Sequence, residues 1–284
     1  FFMKFKNFKI SCSNISSLMS NASHNRPLTD NQWEEVRKLL DREKELTNNQ
    51  LIKLKEYIQK EIDYDPRVLS SGTKSDLLKM YSWQVYNKAS VGVSSYENMS
   101  IEKGTIAESE SIQLLSELDG VKYKKNEKKY ENRFITGIPD IVYNARGKQV
   151  IDIKSSLDIN SFLSKVDSEL SAEYMYQMIG YLELVKADYW EVCFCLVNMP
   201  PAIIEQEIRK LRAKYFLYGK SEEETENRVF RLQNSMIFDD IPIERRVIRF
   251  RVERDSEKMA KVYKRVQVAR NWMEEFHKIH TKLK

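Results

Sequence analysis

Apolar residues recur at helical spacing in the first third of the chain and at strand spacing in its middle. Two near-copies, Leu28-Thr29-Asp30-Asn31-Gln32 and Leu46-Thr47-Asn48-Asn49-Gln50, each place a Gln three residues after a Thr. That is a capping box, a helix-starting signature. Behind the copies come Trp33, Val36, Leu39 and Leu40, then Leu51, Leu54, Tyr57 and Ile58, each set tracing one helix face. The pattern predicts a helical hairpin, with the repeated caps as local chemistry and not a repeat architecture. A third helix is expected over 74–88. Ahead of these, Phe5, Phe8 and Ile10 suggest a short strand. It leads through Ser11-Cys12-Ser13 into a short helix capped by Ser13 or Asn14.

The middle of the chain changes period. A helix is expected over 105–118, then a strand at Val121–Tyr123. Two apolar runs, Ile138–Tyr143 and Gln149–Ile153, are joined by the turn-like Asn144-Ala145-Arg146-Gly147. A helix over 172–186 precedes Tyr189–Asn198, apolar on both faces as a central strand should be. Such alternation predicts an α/β core. Beyond Pro200-Pro201 the pattern gives charged helices over 204–218 and 221–234, a strand at Arg246–Glu253 and a last helix over 256–279. Four divisions follow: an N-terminal strand-turn-helix (1–20), a helical insert (21–99), a core (100–201) and a mostly helical extension (202–284).

With 284 residues, 42% of them hydrophobic, the chain can bury a sizeable core. Its 31% charged residues and few Gly and Pro exclude a disordered segment of that length. No apolar run approaches the ~20 residues of a membrane span, and lysines interrupt the apolar start, so a cytoplasmic location without a membrane partner is expected. Three cysteines give neither a disulfide framework nor zinc spacing, and Cys193 and Cys195 read as strand packing. A net charge of +5 is compatible with a polyanionic partner without requiring one.

The charges inside the middle strands change the picture. Residues i and i+2 of a strand share a face, so Asp152 and Lys154 lie together while Ile151 and Ile153 fill the opposite side. An ion pair is the plain explanation, yet a desolvated pair repays its burial poorly. Asp140 on the neighbouring strand would add a third charge. Two close carboxylates repel unless a cation lies between them, and oxygen donors suit Mg²⁺ or Mn²⁺. Glu108 falls at i, i+4, i+7 with Ile112 and Leu115, so it projects from the apolar face of its helix and needs a partner there. Gln177 and Tyr181, one turn apart, border a stripe of Met175, Met178, Ile179 and Leu182. Periodicity alone makes them the polar shoulder of an amphipathic helix.

In order, Gly104-x-x-x-Glu108, Gly137-Ile138-Pro139-Asp140, Asp152-Ile153-Lys154 and Gln177-x-x-x-Tyr181 resemble the PD-(D/E)XK nuclease superfamily. The last element is like that of its RecB-type branch, and the spacing is similar to phage lambda exonuclease and YqaJ-like recombinases. The resemblance covers about 4–20 and 100–201. It implies a restriction-endonuclease-like mixed central sheet flanked by helices. It also implies an Mg²⁺- or Mn²⁺-dependent exonuclease acting on duplex DNA ends, 5′ to 3′, in phage-type recombination or replication inside a bacterial host. Asp140, Asp152, Glu108 and the Ile153 carbonyl would hold the metal. Lys154 would orient or deprotonate the attacking water, Gln177 would position it, and Tyr181 would support the helix face or touch DNA. Ser11 and Ser13, with Lys6 or Lys9, would receive a terminal 5′-phosphate; a helix cap is the plainer reading of those serines. A single-strand annealing protein and further copies of the chain are the partners implied. A structure-specific or restriction-like endonuclease, and a non-catalytic DNA-binding protein with a vestigial nuclease core, stand as the alternatives.

Overall fold

Helices and strands alternate as the pattern predicts, but the strands divide between two sheets. The computed structural model describes residues 4–88, 104, 106–144, 148–187 and 189–282. In chain order the first elements are β1 (Ile10–Ser11), α1 (Ile15–Met19), α2 (Asp30–Leu40), α3 (Asn48–Asp63), α4 (Ser71–Tyr86) and α5 (Glu108–Asp119). Four strands follow, β2 (Tyr130–Glu131), β3 (Ile135–Gly137), β4 (Ile141–Tyr143) and β5 (Gln149–Ser155). Then come α6 (Ile159–Leu163), α7 (Ala172–Val185), β6 (Tyr189–Cys195), α8 (Pro201–Leu217), α9 (Glu222–Asn234), β7 (Val247–Glu253) and α10 (Ser256–Lys282).

The smaller sheet runs β1-β3-β2, with β1 parallel and β2 antiparallel to β3. The larger runs β4-β5-β6-β7, with β5 and β6 parallel and an antiparallel strand at each edge. The expected mixed α/β fold is therefore present, its sheet split in two. Two strand boundaries move for identifiable reasons. Residues 121–123 form no strand, because the Val121 amide turns back to the Ser116 carbonyl and closes α5 as a helix C-terminus does. Residues 138–140 stay out of β4, since Pro139 has no N–H to give a ladder and Asn126 takes the Asp140 carbonyl. The expected turn at 145–147 and the division at 99–100 lie outside the described residues.

Contacts divide the chain into two units. One contains residues 1–8, 16–90 and 260–284. Here both Thr-x-x-Gln capping boxes form, on α2 and α3, and the two helices bury Val36 and Leu54 with Leu28. Arg265, 5% exposed, donates to the carbonyls of Leu18, Ser20, Pro66 and Val68. The other unit, 9–15 and 91–259, holds both sheets. Its core joins Ile112 and Leu115 of α5 to Ile151, Ile153, Cys193 and Cys195. Both strand cysteines are thus buried free thiols, and burial pushes Cys195 up to about 12. Among the described residues no helix is long and apolar enough to cross a membrane.

Candidate active site

The alternation of β5 sets the site. Ile151 and Ile153 face α5, and the Ser111 hydroxyl of α5 meets that of Ser155 at 2.9 Å on the same side. Asp152 and Lys154 therefore face the other way, toward α7. There Lys154 Nζ sits 5.1 Å from the ring centre of Tyr174, which packs edge-on to Phe194, the register partner of Lys154. The parallel pairing with β6 fixes this arrangement through seven residue pairs.

Asp152 is 2% exposed. Lys154 Nζ stands 2.8 Å from its Oδ2 and pairs with it as a charged donor. Burial raises the Asp152 carboxyl above the usual range even with the lysine alongside. Burial alone would lower Lys154, but Asp152 and then Asp140 outweigh it and keep the ammonium charged. Asp140, half-buried just ahead of β4, accepts from the Ile153 amide through Oδ2 at 2.7 Å. Burial and then the Asp152 charge push its carboxyl up to about 7. Because the N–H and C=O of one strand residue leave by the same edge, the Ile153 carbonyl lies on Asp140's side of β5.

Glu108 opens α5, where the helix dipole favours a carboxylate. Its Oε2 accepts from Lys125 Nζ at 2.6 Å, while Oε1 is buried with no hydrogen-bond partner. Its charge reaches both aspartates, raising each. Among the described residues no three His, Cys, Asp or Glu side chains stand close enough together to hold a metal as they are placed. Each acid has a donor of its own instead: Lys125 for Glu108, the Ile153 amide for Asp140 and the Lys154 charge for Asp152. Glu108 Oε1, buried without a hydrogen-bond partner, and the carboxylates of Asp152 and Asp140 are hard-oxygen donors of the kind a divalent cation takes.

α7 brings the other motif residues. Gln177 is buried, with Nε2 3.5 Å from the Tyr181 hydroxyl. Tyr181 stacks on Trp190 with ring centres 4.7 Å apart, and its hydroxyl donates to the Ile138 carbonyl at 3.1 Å. A Cβ on Gly137 would come 2.4 Å from the Tyr181 ring, and one on Gly180 would come 2.7 Å from Ile15. Glycine at both places lets α7 press against β3 and the strand-turn at 10–15. Tyr181 is thus committed to the core, the geometry of a supporting residue, and offers DNA no free hydroxyl.

At the chain start, Ser11 caps the 3-10 turn Cys12–Asn14 by position without a side-chain hydrogen bond. Its hydroxyl pairs instead with that of Ser13 at 2.7 Å, and both are solvent-accessible. Lys9 is paired with Glu131 at 2.8 Å. Lys6 is exposed and falls in the other contact unit. The structure thus brings Asp140, Asp152, Lys154, Glu108, Gln177 and Tyr181 into one neighbourhood, with the serines on their own turn.

Three contributors escaped the sequence. Tyr174 was legible, three residues before Gln177 and seven before Tyr181 on the same helical face. The Ser111–Ser155 pair and Asn126 carry no local signal, since their partners are 44 and 13 or 14 residues away.

No protein family matches the sequence, and no curated protein is similar to it. Solved structures are similar in fold. A phage-related exonuclease from Haemophilus somnus 129PT superposes with a TM-score of 0.62 at 21% identity, covering 96% of this chain and 97% of its own. An alkaline exonuclease from Laribacter hongkongensis gives 0.54 at 10% identity, covering 99% and 98%, and a further structure of that enzyme is a complex with dAMP. The chain has the fold of these exonucleases.

Proposed function

We propose that the chain is a divalent-metal-dependent exonuclease hydrolysing phosphodiester bonds from the ends of duplex DNA. One observation carries this reading: Glu108 Oε1 is buried with no hydrogen-bond donor, in a field shared with Asp140 and with an Asp152 that has only the Lys154 ammonium at 2.8 Å to offset its burial. A folded chain leaves such a group unsatisfied at a cost of about 1–3 kcal/mol. A bound cation would remove that cost. The fold shared with exonucleases, one of them solved with dAMP, supports DNA as the substrate class.

Glu108, Asp140, Asp152 and the Ile153 carbonyl would hold the ion, Mg²⁺ or Mn²⁺ by the character of the donors. When bound, such an ion supplies a Lewis acid and a water acidic enough to act as nucleophile. Lys154, kept protonated by the aspartates, orients that water and offsets charge on the phosphate. Gln177 positions the water through its side-chain amide, and Tyr181 holds the 137–140 segment in place. Lys122, Lys124, Lys125, Lys128 and Lys129 give the segment between α5 and β2 a basic edge that attracts the DNA backbone. Exposed and not engaged in capping, the Ser11–Ser13 hydroxyls suit a terminal 5′-phosphate with Lys6 or Lys9 nearby in sequence. That arrangement favours 5′-to-3′ resection, as phage-type recombination uses, upstream of a single-strand annealing partner.

The test is a time course with Mg²⁺ on linear duplex labelled at the 5′ or the 3′ end, beside a closed circle. Release of 5′-terminal nucleotides from the linear DNA alone is expected. Nicking of the circle would make the protein an endonuclease, and full activity in excess EDTA would remove the metal from the mechanism.

A further inference from the structure

The segment between α5 and β2 does more than carry lysines. Lys125 Nζ donates to Glu108 Oε2 at 2.6 Å. The next residue, Asn126, grips the other end of the site through the backbone. Its amide donates to the Asp140 carbonyl at 2.7 Å, and its Nδ2 donates to the carbonyls of Pro139 at 2.8 Å and Lys128 at 3.1 Å. The Lys128 amide returns to Asn126 Oδ1 at 3.3 Å, closing the loop on itself. With Tyr181 on the Ile138 carbonyl, three successive carbonyls, 138 to 140, are held.

We propose that Lys125-Asn126 is a positioning element acting on two acids in opposite senses. Asn126 fixes Asp140 in its binding posture, and Lys125 holds Glu108 in a resting posture that a divalent cation displaces. The proposal rests on the metal-dependent reading given above. Its physical basis is the asymmetry of the two contacts. Asp140 is anchored by hydrogen bonds to the carbonyls of 138, 139 and 140, two of them from Asn126, and by the Ile153 amide on its carboxylate. Glu108 is held by one ammonium whose side chain is 57% exposed. A single ion pair with its cation so exposed to solvent holds weakly, and a dication outcompetes it. The contact also accounts for three acids that share a field yet are not gathered around one point.

The experiment is calorimetric titration of Mn²⁺ into the 284-residue chain without DNA, so that no turnover enters. Lys125→Met, which keeps the apolar stem, should tighten Mn²⁺ by about threefold, the scale of an exposed pair. Asn126→Ala should weaken it by about 10-fold or more, as loss of a residue supporting a metal ligand does. Lys124→Met removes the same charge one residue away and should change affinity by less than about twofold, its charge being solvent-screened. A merely structural role for the segment would not produce opposite signs. Equal effects of Lys125→Met and Lys124→Met, or unchanged binding in Asn126→Ala, would overturn the proposal. Lys125 is exposed, so its arm decides the matter even where Asn126→Ala unfolds. Asp152→Asn binding Mn²⁺ as the unaltered chain does would instead bring down the metal reading itself.

Discussion

Two regions bury charge, and they treat it differently. Arg265 is 5% exposed, with four carbonyls around its guanidinium and a hydrogen bond to each. Asp152 is 2% exposed and has one ammonium, Lys154 Nζ at 2.8 Å, while Glu108 Oε1 beside it is buried with no donor. The arginine staples residues 18–20 to 66–68 within its unit and is satisfied by the fold itself. The acid cluster is left short of donors at Glu108. A buried charge with a complete set of partners is architecture, whereas one left short of partners marks a place where something else is meant to bind. Burial is the same in both; satisfaction separates them.

The largest expected effect breaks this comparison on the functional side. Asp152→Asn should lower turnover on linear duplex by about 10³-fold or more while leaving DNA binding within a few-fold, the scale seen when a charge-stabilising group is lost. Binding by gel shift in Ca²⁺ and turnover in Mg²⁺ measure the two separately. Turnover retained to within tenfold would place the chemistry elsewhere. On the structural side, Arg265→Met strands up to four carbonyls and should cost roughly 3–5 kcal/mol of stability, read as the shift in urea midpoint. A neutral result would show that the arginine is no staple.

How much of this the sequence carried follows from the range of each interaction. The caps at Thr29 and Thr47 and the two-residue period of β5 are local, and they placed Asp152 and Lys154 correctly on their strand. Gln177 and Tyr181 fall on α7 as expected, but buried with Met178, Ile179 and Leu182 and not as a polar shoulder. The resemblance then joined four such elements before any contact was visible, and the fold of the solved exonucleases agrees with it. What stayed hidden depends on contacts between elements. Division of the strands into two sheets depends on Pro139 and Asn126 interrupting the strand ahead of β4. The pairing of Glu108 with Lys125 spans 17 residues and a helix end. Hydroxyls at 11 and 13 look like a cap in sequence, and only the structure shows that Ser11 holds the N-cap position without a side-chain hydrogen bond.

A smaller effect sharpens the comparison through pH. Asp140 is raised to about 7 in the folded chain, against ~3.9 for an unperturbed Asp, so the folded state binds this proton more tightly than the unfolded chain does. Its contribution to stability is full below about pH 4 and is lost as pH rises through about 7. In EDTA the protein should therefore lose roughly 1–3 kcal/mol at this site between pH 5 and pH 8, its partial exposure allowed for. Arg265 keeps its charge throughout and contributes no such slope. Thermal unfolding across that range checks the difference, and a flat profile would contradict it.

The smallest effect concerns the ends. Ser13→Ala should narrow the rate advantage of 5′-phosphorylated over 5′-hydroxyl duplex to within about twofold, since one charge-assisted hydrogen bond is lost. Cleavage itself should persist. Equal rates on both ends in the unaltered protein would assign the serine pair to the turn alone.

The most direct measurement is thermal unfolding of Asp140→Asn beside the unaltered chain at pH 8, in EDTA and again in Mg²⁺. Asparagine can still accept from the Ile153 amide, but it carries no charge for the neighbouring carboxylates to oppose. If the acids are held short of partners for a metal, the variant is the more stable of the two in EDTA and gains far less from Mg²⁺. A variant less stable in EDTA, with the same gain from Mg²⁺ as the unaltered chain, would contradict the account.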